Sequence, residues 1–299
     1  MGSRNFEKKL ERKGMNIEDI KDIIKELELL NPIDEYAYEK AVLAFLKVKQ
    51  LPVLLYRIPE GTSIFRARTQ KNEGLLYKVS DISLPPNECV KEFARCNRPF
   101  QSKFYCAENI PTAYMELVEY WAETREVGEV ITITLSRWVL TKSLTVVLVT
   151  TPDENNRISE FDKHHGSALD EFIERCNPEI REGTIEIYRY LFKMFRKRAK
   201  KDPKTYIITT AYSNVTLMHS KGNANGIYYP SIPFGEQGVN FALNSKFISS
   251  ENMKLTSVIQ NKMTVESIEN GMKKFKESGI IHATGFDESK NQIKWKQSR

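Results

Sequence analysis

The sequence predicts an α+β fold: a mixed β core with flanking helices, extended by an N-terminal helical pair and a helical insertion. Three observations carry that expectation. Short β-rich runs begin after Pro52, separated by turn residues and interleaved with helical patterns. An apolar stripe at three- and four-residue spacing precedes them. A helical stretch between Asp153 and Asp202 interrupts them. Strand and helix patterns do not alternate regularly, which argues against a doubly wound parallel sheet.

The N-terminal stripe is Ile17, Ile20, Ile23, Ile24, Leu27 and Leu30, one face of an amphipathic helix. Asn31-Pro32 stops it, and Asp34 can cap a second helix through about Lys49. The pair is expected to pack on the rest of the chain, with a partner-binding platform as the alternative. Strands are expected at Thr62 to Ala67, Lys103 to Cys106, Val130 to Leu135, Leu144 to Val149, Thr205 to Thr210 and Gly226 to Tyr229. Helices are expected near Ile110 to Glu123 and Tyr212 to His219.

The insertion reads as helices at Phe161 to Cys176 and Thr184 to Lys201, with a basic end at Lys193, Arg196, Lys197, Arg198, Lys200 and Lys201. Cations favour a helix C-terminus through the macrodipole, and Asp202-Pro203 ends the helix. A solvated helix end is therefore preferred to a nucleic-acid contact. The last fifty residues suggest a helix around Val265 to Glu277 and a strand ending near Trp295. The expected division is an N-terminal helical segment, 1–57, and a second domain, 58–299, with the insertion at about 153–203.

A chain of 299 residues buries enough surface to fold without disulfide or metal staples. Its 40% hydrophobic and 28% charged residues are those of a soluble globular protein. The longest apolar runs, such as Leu144 to Val149, are strand-sized, too short for a bilayer, and the first twenty residues contain no signal-peptide core. Four cysteines without a CxxC pair and only four histidines give no metal-ligand spacing. A cytoplasmic, reduced, metal-free protein is expected. The net charge of +6 would draw anionic ligands and aid solubility, and falls short of a dedicated nucleic-acid binder. Neither GxGxxG nor a Walker pattern is present.

Three blocks carry chemistry. In Ile64-Phe65-Arg66-Ala67-Arg68, arginines two apart on a strand share a face and can fork onto one anion. A second block holds Arg95 and Asn97, then Tyr105 on a strand, then Thr112-Ala113 and Glu116 on the first turns of a helix. The third, Gly226 to Ser231 followed by Gly238 to Leu243, delivers Ser231 just past Pro230, with Asn240 downstream. Ser231 lacks the GxSxG elbow, and no histidine sits in a triad motif, which argues against a Ser-His hydrolase.

Together and in this order, the blocks resemble the RES domain, named for its Arg, Glu and Ser. The resemblance runs from about Ile64 to Leu243 and rests on Arg66, Arg95 with Asn97, Tyr105, Thr112-Ala113 with Glu116, and Gly226-Ile227 with Tyr229, Ser231 and Asn240. It departs at Ala94, where the family has glycine, and at Cys96, where it has an aromatic residue.

The resemblance implies an ADP-ribosyltransferase-like fold and a toxin that destroys NAD at its nicotinamide–ribose bond. NAD is then substrate, with no prosthetic group, and water or inorganic phosphate is the incoming group. Arg66 and Arg95 become candidate pyrophosphate clamps, with Arg68 beside them. Glu116 would stabilise the cationic sugar, Tyr105 would line the nicotinamide pocket, and Ser231 and Asn240 would bind the ligand. A cognate antitoxin protein and a second copy of the chain are the implied partners. Two other classes stand beside this reading: an ADP-ribosyltransferase that modifies a macromolecule, and a non-enzymatic interaction protein.

Overall fold

The structure, a computed structural model, describes residues 16–48, 51–70, 74–197, 202–232, 238–269 and 272–296. The helices are α1 (Ile17–Glu28), α2 (Ala37–Lys47), the single turn α3 (Val79–Ile82), α4 (Ile110–Ala122), α5 (Glu160–Glu174), α6 (Pro178–Arg196) and α7 (Pro203–His219). The strands are β1 (Leu55–Ile58), β2 (Ser63–Gln70), β3 (Lys103–Ala107), β4 (Val130–Leu140), β5 (Leu144–Leu148), β6 (Gly226–Pro230), β7 (Val239–Asn244), β8 (Met253–Glu269), β9 (Met272–Asp287) and β10 (Gln292–Trp295). The protein is thus mixed α+β, and its strand pairs are mostly antiparallel.

Two compact units share the chain. One draws on Met1–Tyr56, Val90–Gln101 and Thr145–Ile232, the other on Arg57–Cys89, Ser102–Leu144 and Pro233–Arg299. The N-terminal helices α1 and α2 thus share a unit with α5, α6 and α7.

In the first unit, Asn16 caps α1 by accepting from Asp19 N–H (2.9 Å), and Ile20, Ile23 and Leu27 are buried. The stripe is apolar because α1 packs on α6, while α2 packs on α7 through faces that bury Ala41, Ala44 and Phe45. β5 and β6 pair in parallel, Val147 opposite Ile227. On α5, His165 is buried between the rings of Tyr56 and Phe161, each 4.5 Å away. The basic tract contributes Lys193 and Arg196 to the last turn of α6. Its Arg198, Lys200 and Lys201 lie outside the described residues, as does Lys49.

The run 205–210, expected as a strand, is part of α7. Pro203 starts the helix, and burial almost all round it overrides the β propensity of Thr, Tyr and Ile. The buried hydroxyls are satisfied inside the helix: Thr209 donates to the Thr205 carbonyl (3.0 Å), Ser213 to Thr209 (2.7 Å) and Thr216 to Tyr212 (2.9 Å).

In the second unit the strands run β7-β3-β2-β4-β8-β9-β10, all antiparallel. α4 packs against one face. There Ala107, Ala113 and Leu135 form one buried cluster with Phe65 and Ala67, and Val118, Ile131 and Ile133 form another. The helix expected around 265–277 is absent. The described residues of that range belong to β8 and β9, which pair antiparallel with Val265 opposite Phe275 and Glu269 opposite Met272. Val265 and Ile268 mimic a helical spacing, but β8 finds a ladder partner in β4 along Met253–Thr264. Pairing on that scale outweighs local pattern. The strand expected to end near Trp295 is β10.

Candidate functional site

Register decides which side chains meet. Phe65 pairs with Ala107, Ala107 with Asn240, and Tyr105 with Ala242. Directly paired residues share a face, and every second residue returns to it. Tyr105 and Asn240 therefore share the face of Phe65 and Ala67, the one covered by α4. Arg66, Arg68, Phe104 and Trp138 take the opposite face.

α4 is set by its first turn. The Asn109 side-chain carbonyl accepts from Thr112 N–H (2.9 Å) and from the Thr112 hydroxyl (2.7 Å), an N-terminal cap. Glu108 N–H donates to the Val239 carbonyl (3.1 Å), tying the helix start to β7. At Gly238 the approach is closest: an added Cβ would lie 2.0 Å from Thr112 Oγ1 and 2.7 Å from its Cγ2. This docking brings half-buried Glu116 down onto β7, where Asn240 Nδ2 donates to Glu116 Oε1 at 2.5 Å. Asn240 is itself buried, so its amide is a fixed donor. Asn109, Thr112 and Gly238 did not enter the sequence-based candidate site as the groups that fix this geometry. The one available signal was an Asn ahead of Ile110-Pro111, an N-cap pattern.

Arg66 is buried beneath this arrangement. Its guanidinium lies over the Phe104 ring (4.9 Å to the centroid), and Nη1 donates to the Tyr105 carbonyl at 2.6 Å. Among the described residues its Nε has no partner. Burial, and then the neighbouring Arg68 charge, lower its pKa to about 10, so it stays a cation at neutral pH. Arg68 Nη1 donates to the Asp81 carbonyl (2.6 Å). The two arginines share a face, as their spacing requires, but that face is not the one of Glu116, and both hold backbone carbonyls.

Arg95 and Ser231 belong to the first unit. Arg95 is buried at the C-terminal end of α6, where Nη2 donates to the Lys197 carbonyl (2.9 Å) and Nη1 to the Met194 carbonyl (3.2 Å). Its guanidinium also faces the Tyr206 ring at 5.6 Å. The loop around it is held because Thr210 Oγ1 donates to the Ala94 carbonyl (2.7 Å) and Ala94 N–H donates to the Asn97 carbonyl (3.0 Å). Helix-end carbonyls lack intrahelical partners and carry negative partial charge, so a forked cation is a strong cap there. Ser231 follows β6 and is fully buried.

The second unit thus brings together Glu116, Asn240 and Tyr105, a carboxylate oriented by an amide on a sheet face that also bears a phenol. Such a group can stabilise positive charge developing on a bound ligand. Among the described residues, no cluster of His, Cys, Asp and Glu is placed to hold a metal, and no helix is long and apolar enough to cross a membrane. Compared with known proteins, the chain matches no protein-family model and no curated protein sequence.

Proposed function

We propose that the protein degrades NAD by cleaving its nicotinamide–ribose bond, as an NAD glycohydrolase or NAD phosphorylase. The observation that supports this best is Glu116 held by Asn240 on the face that carries Tyr105. Nicotinamide leaves with the bonding electron pair, and the ribose passes through an oxocarbenium-like cation. Glu116 stabilises that cation, and Asn240 keeps its carboxylate oriented so that little reorganisation is needed. Tyr105 offers its ring to the flat base. Water then adds to the ribose carbon and loses a proton, giving ADP-ribose; phosphate gives the 1″-phosphate ester instead.

In this reading Arg66 is a positioning residue, fixing the backbone of Tyr105 from the far side of the sheet, and Arg95 holds the end of α6. The order of the Arg, Glu and Ser blocks supports the same assignment through their resemblance to RES toxins. A cognate antitoxin and a cytoplasmic setting belong to the proposal on that ground alone.

The test incubates purified protein with NAD, with and without inorganic phosphate, and quantifies nicotinamide and the ribosyl product. Nicotinamide release is expected, and Glu116→Gln should lower it by about 100-fold or more. Product carrying phosphate selects the phosphorylase route. Radiolabel from NAD retained on a macromolecule would replace degradation by transfer. Intact NAD after prolonged incubation, or undiminished turnover by Glu116→Gln, would overturn the proposal.

A further inference from the structure

On the sheet face opposite Glu116, the second unit holds a cleft of about 620 Å³, within the ~300–1,000 Å³ typical of small-molecule sites. Three segments distant in sequence, 79–83, 248–254 and 288–291, converge on Trp138 to form it. Register decides which charge they bring. Leu255 pairs with Trp138 and Lys254 with Val139, so the Lys254 ammonium leaves on the other face of the sheet and only its backbone borders the cleft. The charged group left facing the cleft is the Glu288 carboxylate.

That carboxylate is fixed but uncompensated. Glu288 Oε1 accepts from Leu255 N–H at 3.1 Å, which ties it to the strand residue opposite Trp138. Among the described residues this is its one hydrogen bond, and it has no ion pair. Lys290, two residues on, pairs with Asp287 (3.7 Å), and Lys142 pairs with Glu251 of the 248–254 wall (3.5 Å). Glu288 is half-buried, so it has given up part of its hydration without gaining a countercharge. A cation bound at the cleft would supply one.

The surroundings favour an organic cation over a bare ion. Val79, Ile248 and Met253 are apolar lining, and Trp138 closes the floor with its indole N–H already donated to Ser136 Oγ (2.9 Å). Apolar walls concentrate the field of the single carboxylate. Hard divalent ions take six or more oxygen ligands, several of them charged, and no such cluster exists among the described residues. An ammonium needs only three acceptors, which a carboxylate and neutral hydroxyls provide. Among the described residues, the hydroxyls of Ser83, Ser249 and Ser250 have no hydrogen-bond partner, and each can accept or donate.

The frame is ordered before any ligand arrives. Asn291 clasps Ser80, accepting from its N–H (2.7 Å) and donating to its hydroxyl (3.0 Å). The Ser249 carbonyl accepts from Asn252 and Met253 N–H (both 3.0 Å), and Thr141 N–H donates to the Asn252 carbonyl (2.9 Å). Little ordering entropy is therefore lost on binding.

We infer that this cleft binds a small organic ammonium bearing hydroxyl groups, with the ammonium at Glu288 and the hydroxyls at the serines. The inference is independent of the NAD reading, which concerns the other face of the sheet.

Glucamine, a linear polyol ending in a primary ammonium, is the probe, titrated calorimetrically into the full chain at neutral pH and low ionic strength. Sorbitol, in which a hydroxyl replaces the ammonium, is its neutral counterpart. Saturable binding of glucamine is expected, with sorbitol about tenfold or more weaker. Glu288→Gln removes the charge but keeps an amide oxygen for Leu255 N–H, and should bind glucamine about tenfold or more weakly. The Ser249→Ala/Ser250→Ala double variant, at two exposed positions, should lose about fivefold. Glu116→Gln should bind as the unaltered protein does, and circular dichroism checks that each variant is folded. The inference is overturned if glucamine does not bind, if sorbitol binds as tightly, or if Glu288→Gln binds it equally well. It is also overturned if Glu116→Gln abolishes binding, which would move the ammonium to the other face, or if ammonium chloride alone binds as tightly as glucamine.

Discussion

Replacing Arg95 by Met separates a structural arginine from a substrate clamp. The guanidinium makes two charge-assisted bonds to carbonyls at the end of α6, at 2.9 and 3.2 Å, and faces the Tyr206 ring. A hydrogen bond to a charged group contributes about 1.5–3 kcal/mol, and a cation at a partly buried helix C-terminus up to ~2 kcal/mol. These contributions overlap, and Met recovers packing while avoiding the desolvation cost of the cation. A net loss of about 2–4 kcal/mol is therefore expected for Arg95→Met. Arg95→Lys keeps the charge without the planar fork and should lose about half as much. Urea unfolding followed by circular dichroism gives the stability change. Amide exchange should show faster opening at the carboxyl end of α6 than elsewhere. NAD turnover by Arg95→Met should fall with the folded fraction and recover under stabilising conditions. A variant as stable as the parent but without turnover would refute the capping argument and return Arg95 to the ligand.

Three further outcomes follow from the same geometry. Gly238→Ala puts a methyl group 2.0 Å from Thr112 Oγ1, and Thr112 is a short side chain fixed by Asn109, so a loss of about 1–3 kcal/mol is expected in thermal or urea unfolding. Combining it with Thr112→Gly should recover part of that loss; no recovery would show that the collision is not the cause. Asn240→Ala removes the donor to Glu116 and should lower NAD turnover by about 10–100-fold with a smaller change in KM, measured in the nicotinamide-release assay. His165 is depressed to about 4 by burial, from a usual value of 6.5. The unfolded chain then binds the proton first, so stability is full above pH 6.5 and falls by up to ~3 kcal/mol as the pH drops towards 4. Asp162, raised by burial, shifts the opposite way. The check is therefore the difference between the parent and His165→Gln, whose unfolding should lose that part of the acid dependence.

Much of the local architecture was legible because one physical period dominated each segment. The stripe of Ile20, Ile23 and Leu27 has a single buried destination, and the alternation in β2 correctly puts Arg66 and Arg68 on one face. Legibility failed where tertiary pairing competed with pattern. The run Val265 to Glu277 carries apolar residues at mixed spacing, and the cue that identifies it is Asn270-Gly271, a strong hairpin dipeptide that lies outside the described residues. In α7, the threonines read as strand formers because their partners are carbonyls one helical turn back, which composition does not reveal. For the candidate site, the resemblance to RES domains pointed to Tyr105, Glu116 and Asn240 but carried no information on the opposed faces. That Arg66 lies behind Tyr105 follows from the Phe65–Ala107 register, a pairing across forty-two residues that no local window contains.

The division of the chain has a consequence for how the protein is made. Neither unit is continuous: the segments of the first are separated by segments of the second, and its last segment ends at Ile232. On the ribosome, α1 and α2 emerge long before α6 and α7, the helices that cover their apolar faces. Those faces remain uncovered while well over a hundred further residues are synthesised, ~10–30 s at ordinary elongation rates. Nascent chains should therefore depend on chaperone protection through that interval. Chains truncated before α7 should accumulate as aggregates rather than as folded fragments. Removing the segment 153–203 as a dispensable insertion would have the same effect, because it contains α6, the surface on which α1 is buried.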